Sequence, residues 1–144
     1  MKIRKLIEMT AKEWSILVIS LLLLPSIALA LRLKGFKWTR SVLHKRIPKP
    51  VPDTRSLDQR LEIALSVSRM VATAANYGPY RASCLKRSLT SWWLLQRMGI
   101  AAKLIIGVNK HDGNLNAHAW VEYHGNKLLE ADNITARFSA FELK

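Results

Sequence analysis

Between Ser83 and Asp132 the spacing of residues along the chain changes period, and that change limits what the chain can fold into. Leu85, Leu89, Trp92, Trp93 and Gln96 recur at helical spacing, with Ser83 placed to cap the start and Gly99 to end the run. From Ala102 to Val108 the residues are apolar, β-branched and close to period two, as in a strand. Asn109 to Asn114 is a turn cluster with Asp112-Gly113 as its hairpin signal, and Ala117 to Tyr123 alternates again. That alternation sets His118, Trp120 and Glu122 on one face and Ala117, Ala119, Val121 and Tyr123 on the other. A second turn at His124-Gly125-Asn126 leads into Lys127 to Asp132. The expectation is an α+β core in which one helix packs on a small antiparallel meander.

The chain's one cysteine, Cys84, falls in the first turn of that helix. There the orphan backbone N–H groups and the positive end of the helix dipole stabilise a thiolate, the nucleophilic form of the side chain. On its own a single cysteine more often serves as a small buried apolar residue. A histidine on the middle strand can face the head of the helix, and a carboxylate on the next strand can hydrogen-bond the far side of its ring. In such a trio the imidazole takes the thiol proton and later protonates the leaving amine, while the acid fixes the ring. Cys84, His118 and an acid beyond it are therefore a candidate acyl-transfer site. The backbone N–H of Cys84 is the natural oxyanion donor.

The residues themselves narrow this further. Ser83-Cys84-Leu85-Lys86-Arg87-Ser88-Leu89, Leu94-Leu95 through Arg97-Met98-Gly99-Ile100, Leu104 to Val108, and Ala117-His118-Ala119-Trp120-Val121-Glu122-Tyr123 followed by Gly125 closely resemble the lasso peptide leader peptidases. Those proteins are the transglutaminase-like cysteine protease half of the lasso-peptide B protein. The resemblance covers residues from about 57 to the C-terminus in detail, and the apolar N-terminus in general character. It implies a transglutaminase-like, papain-like core with Cys84 as nucleophile and His118 as general base. The family's acid is usually an aspartate on the strand after the histidine; by position that place is Glu130 here, with Asp132 close behind. The resemblance implies a cytoplasmic hydrolase that removes the leader from a lasso precursor peptide. A separate leader-recognition protein would present the substrate, and an ATP-dependent cyclase would receive the product.

At 144 residues there is room for one catalytic domain with an N-terminal appendage. A lone cysteine excludes an intrachain disulfide and fits a reducing compartment. No cofactor is expected: there is no zinc-ligand spacing and no glycine-rich phosphate loop. Of the 23 Lys and Arg that give the net charge of +13, twelve lie in residues 1–55 against three acids. These bases flank an apolar segment and lack interleaved aromatics or a nucleic-acid motif, so the expected partner is an anionic membrane surface or an acidic protein, and not nucleic acid.

Thr10 and Glu13 form a capping-box pattern ahead of Ser15 to Leu31, seventeen residues without a charge. That run is compatible with a short membrane span, a secretory signal ending near Ala28-Leu29-Ala30, or helical pieces kinked at Pro25 and buried on the core. Glu8 and Glu13 in the leader and the unpaired thiol argue against export, leaving an uncleaved helix that is buried or membrane-associated. Ile47-Pro48-Lys49-Pro50-Val51-Pro52 is the clearest linker. We therefore divide the chain into a helical module, residues 1–52, and a catalytic domain, residues 53–144. Leu57 to Ala75 reads as an amphipathic helix presenting Leu57, Leu61, Ala64, Leu65, Ser68 and Val71, packed beside the Cys84 helix.

The same residues admit two other readings. An amine in place of water would make the site a transglutaminase-like acyltransferase, and a structural Cys84 would leave a basic, membrane-associated scaffold. Arg87, one turn beyond Cys84, could hold the thiolate or a substrate carboxylate, or stand as an ordinary solvated arginine. Glu122 could touch substrate, though a solvent salt bridge is the commoner fate of such a residue. Trp92, Trp93 and Trp120 read as core.

Overall fold

The computed structural model describes residues 7–50, 52–78, 83–128 and 139–142. Helix α1 (Ala11–Lys45) opens on the expected capping box: the Thr10 hydroxyl accepts from the Glu13 N–H (3.2 Å), and the Glu13 carboxylate accepts from the Thr10 N–H (2.9 Å). The backbone bond from Thr10 holds the Glu13 carboxyl below the usual range, helped by hydrogen bonds from Ser66 and the Thr10 hydroxyl. Helix α2 (Leu57–Tyr77) has its own box between Ser56 and Gln59, and α3 (Cys84–Arg97) follows Ser83. Strands β1 (Lys103–His111), β2 (Asn114–Tyr123), β3 (Asn126–Lys127) and β4 (Ser139–Glu142) form one antiparallel sheet in the order β3-β2-β1-β4.

Both tight turns of the sheet are set by residue type. Asp112 and Gly113 have φ of 49° and 79°, and His124 and Gly125 have 48° and 76°. Two successive residues at positive φ make the mirror-image turn whose twist suits a two-residue hairpin, and glycine takes the second place without strain. The first turn fixes the register that pairs His111 with Asn114 and runs through Gly107 opposite His118 to Lys103 opposite Glu122.

Three features differ from the pattern of the sequence. The break in α1 comes at Gly35, where φ is 81° and ψ 175°, and not at Pro25. Proline removes one ladder bond but keeps a helical φ, whereas the backbone at Gly35 leaves the helical region altogether. Leu57 and Leu65 are exposed, and α2 buries Val67, Met70, Ala74 and Ala75 beside the expected Ala64, Ser68 and Val71. A helix flanked by both α1 and α3 needs a wide buried face, which its small residues supply. The strand expected over Lys127 to Asp132 begins as β3 at Asn126, and residues 129–138 lie outside those described.

One apolar core joins Leu24 and Ile27 of α1, Ala64, Val67 and Val71 of α2, Leu89 and Leu95 of α3, and Leu104, Val121 and Tyr123 of the sheet. The segments before and after the proline-rich stretch thus bury their side chains together. Polar bonds reinforce the junction. The Trp93 indole donates to the Leu43 carbonyl (2.9 Å) and Arg97 to that of Arg46 (3.1 Å), occupying carbonyls at the end of α1. Arg55 pairs with Asp53 through two 2.8 Å bonds and also donates to the Met98 carbonyl (2.8 Å).

Leu24 is 1% exposed and Leu22, two residues away on the same helix, 68%. Leu24→Ala should therefore cost about 2–5 kcal/mol in urea unfolding, and Leu22→Ala should stay within about 0.5 kcal/mol of the parent. The side-chain bonds from Arg55 lower the Asp53 carboxyl from 3.8 to about 2. Between those values the unfolded chain binds more protons at this position, so its stabilisation is complete above the upper value and lost as pH falls through the lower. Asp53→Asn should lower stability at pH 7, where this contribution is fully present, leave it little changed below the lower value, and so flatten the corresponding acid limb of a stability–pH profile.

Candidate active site

Cys84 is the first residue of α3 and is half-buried. The Ser83 backbone is extended, as at an N-cap, but its side chain makes no capping hydrogen bond, unlike those of Thr10 and Ser56. The hydroxyl next to the cysteine therefore does not take up a first-turn N–H, leaving the donor set of an anion-stabilising helix start.

One turn further on, the Ser88 hydroxyl donates a buried 2.9 Å hydrogen bond to the Ala119 carbonyl. The Val121 carbonyl accepts from the Leu128 N–H (2.9 Å) on the β3 side of β2. Carbonyls two residues apart on a strand point to the same edge, so Ala119 faces that side too. The helix that begins with Cys84 is thereby sealed to β2 at the residue after His118, with Ser88 at the i+4 position from the cysteine and on the same helix face.

His118 lies on β2, half-buried, with its Nε2 atom out of solvent. Its ring stacks on Trp120, the centroids 6.1 Å apart and the planes inclined by 26°. Trp120 is almost fully buried and packs with Ile105, its partner across the strands, apart from the main core. The Trp120 indole N–H donates to Glu122 Oε1 at 2.9 Å. The alternation of β2 thus holds as expected, with Glu122 half-buried at the end of the row. It accepts from the tryptophan that lies against His118, and these three side chains form one row.

A cleft of about 340 Å³ opens between α2, α3 and β2. His118 and Trp120 line one side, Arg87, Ser88 and Ser91 the next, and Ser68 and Asn76 of α2 the third. Arg87 is half-buried and faces the space that His118 faces, so it is not a purely solvated helix arginine. A comparable hollow of about 330 Å³ near the proline-rich stretch is lined by Pro48, Asp53, Arg55 and Gly99; among the described residues Cys84 lines neither space, and His118 lines only the first.

Of the four residues singled out for chemistry, Cys84 and His118 sit on elements packed against each other, and Glu130 and Asp132 lie outside the described residues. The pattern of the sequence did not single out Ser88, Asn76, or the bond from Trp120 to Glu122. Ser88 carried a usable signal in its helical spacing from Cys84. Asn76 carried none, because its place depends on how α2 lies across α3.

The family profile described as the transglutaminase-like superfamily matches residues 23–142. No curated protein and no solved structure matches the chain. The matched span takes in part of α1 together with α2, α3 and the four strands, so the apolar N-terminal helix falls partly inside the family's domain.

Removing the Ser88 hydroxyl should leave the Ala119 carbonyl buried without its donor. Ser88→Ala is expected to lose about 1–3 kcal/mol of stability in urea unfolding. It should also raise the hydrogen-exchange rate of the Cys84 turn more than that of the Trp93 to Arg97 end, read by mass spectrometry of peptides.

Proposed function

The chain belongs to the transglutaminase-like superfamily, which includes cysteine proteases and acyltransferases, and within it we propose a cysteine peptidase that cleaves the leader from a lasso precursor peptide. The observation that carries this reading is the docking of the Cys84 helix on the His118 strand through Ser88 and Ala119. The motif strings around both residues, with their resemblance to the leader peptidases, supply the substrate class.

In the proposed reaction His118 removes the thiol proton and the Cys84 sulfur attacks the scissile carbonyl. First-turn N–H groups of α3 receive the charge that develops on oxygen. As the C–N bond breaks, the protonated imidazole gives its proton to the leaving amine, and a thioester links Cys84 to the leader. Water, deprotonated by His118, then attacks the thioester and releases the leader carboxylate and the free thiol. Glu130 or Asp132 would orient the imidazole. Trp120 limits the ring from one side, since rotation of His118 would break the stacked contact. The cleft that His118 lines would receive the residues beside the scissile bond, with Arg87 and Asn76 available as polar anchors. A separate leader-binding protein would present the substrate, and the freed core would pass to an ATP-dependent cyclase.

Cys84→Ala should abolish cleavage, by at least 10³-fold on the scale of removing a catalytic nucleophile, while the far-ultraviolet circular dichroism stays that of the parent. The assay is a reconstituted reaction of the full chain with the precursor encoded beside it, with and without a leader-binding protein, followed by mass spectrometry. Retained cleavage by the variant would overturn the assignment of Cys84. A product carrying an added primary amine in place of a free leader carboxylate would overturn hydrolysis in favour of amine transfer.

A further inference from the structure

Helix α1 is apolar on two opposite sides, and only one of them is used by the protein. Ile16, Leu17, Leu24 and Ile27 point into the core, against α2 and α3. On the other side Trp14, Val18, Leu22, Leu29 and Leu33 are exposed, at intervals of four, four, seven and four residues. Those intervals keep the five side chains in one stripe along the helix. At about 1.5 Å per residue the stripe is roughly 28 Å long, and it ends just before the break at Gly35.

By length and composition this helix could cross a bilayer. Its packing argues for a different relation to lipid. A crossing helix would have to surround itself with acyl chains, and α1 has already committed Leu24 and Ile27 to the core of the folded domain. The Glu13 carboxylate also accepts from Ser66 of α2 (3.2 Å), tying the N-terminal end of the helix to the same body. A helix with one side in the core and the opposite side bare can lie along a surface without losing any of these contacts.

The charges around the stripe decide which surface. Lys12 near one end and Arg32 and Lys34 near the other are exposed, and Lys37, Lys45 and Arg46 continue the positive character beyond Gly35. Trp14 adds an exposed indole at the first end of the stripe, a side chain that favours the boundary between headgroups and acyl chains. A second copy of this chain would bring a net charge of +13 against another +13. An anionic lipid surface instead accepts both the apolar ridge and the flanking bases, the combination that holds an amphipathic helix in the interface.

We propose that α1 binds flat on an anionic membrane surface through the Trp14 to Leu33 stripe, while its opposite side stays packed in the core. This placement is independent of the peptidase reading, since it rests on α1 and needs no chemistry at Cys84.

The test is co-sedimentation of the full chain with vesicles of phosphatidylcholine alone and of phosphatidylcholine with 30% phosphatidylglycerol, at low salt and in 0.5 M NaCl. The expected result is binding to the anionic vesicles, weak binding to the neutral ones, and release without detergent at high salt. Leu22→Gln combined with Leu29→Gln should reduce partitioning at least tenfold, with unchanged circular dichroism and unchanged urea midpoint, since both positions are exposed. Arg32→Gln combined with Lys34→Gln should reduce binding to anionic vesicles alone. Equal binding by the Leu22 and Leu29 variant, or a requirement for detergent to release the parent, would overturn the proposal. So would a parent dimer in light scattering that the same variant converts to a monomer, because the stripe would then be an interface between copies.

Discussion

The hydrogen bond from Ser88 to the Ala119 carbonyl is the contact through which helix and sheet become one site. A buried carbonyl of the sheet must find a donor. A serine on the helix satisfies it at short range, since its side chain is only two bonds deep and brings the helix axis close to the strand. That closeness sets the Cys84 turn beside the strand carrying His118.

The sheet contributes its own constraint through β2. Alternation places His118, Trp120 and Glu122 in one row, and each member limits the next: the carboxylate takes the indole N–H, and the indole face lies against the imidazole. The other side of the strand, with Val121 and Tyr123, belongs to the main core. A strand that is buried on both sides at its end and opens to a cleft at His118 is anchored where rigidity helps and accessible where chemistry would take place.

Much of this was readable from residue order. The two hairpin turns announced themselves through Asp112-Gly113 and Gly125, because positive φ at two successive positions restricts which residues fit. The capping box at Thr10 and Glu13, and the division of β2 into two faces, follow equally from short-range rules. What could not be read depended on contacts distant in sequence. The buried face of α2 shifted from Leu57 and Leu65 to Val67, Met70 and Ala74 because two helices press on it, and periodicity alone carries no information about how many neighbours a helix has. The break at Gly35 was hidden by the stronger signal of Pro25. The partner of Ser88 lies 31 residues away, so its spacing marked a helix face and not what that face would meet.

The two ends of α3 differ in their capping, and this bears on how the proposed site can work. Its C-terminal half is held by the indole of Trp93 on Leu43, by Arg97 on Arg46, by Gln96 on the Ala102 carbonyl (2.8 Å), and by Arg55 on Met98 just beyond the helix. Its N-terminal end begins at Cys84 with no side-chain cap from Ser83, and Ser88 ties it to the sheet. A cap at Ser83 of the kind seen at Thr10 and Ser56 would add about 1 kcal/mol to the helix, and would occupy an N–H that an oxyanion could use. The bonds at the C-terminal end thus fix the direction of the helix, and the uncapped start leaves first-turn donors that the proposed reaction would use. The basic, two-sided α1 closes the far end of the same helix, so the segment proposed to lie on an anionic surface also holds the rod on which the thiol is mounted.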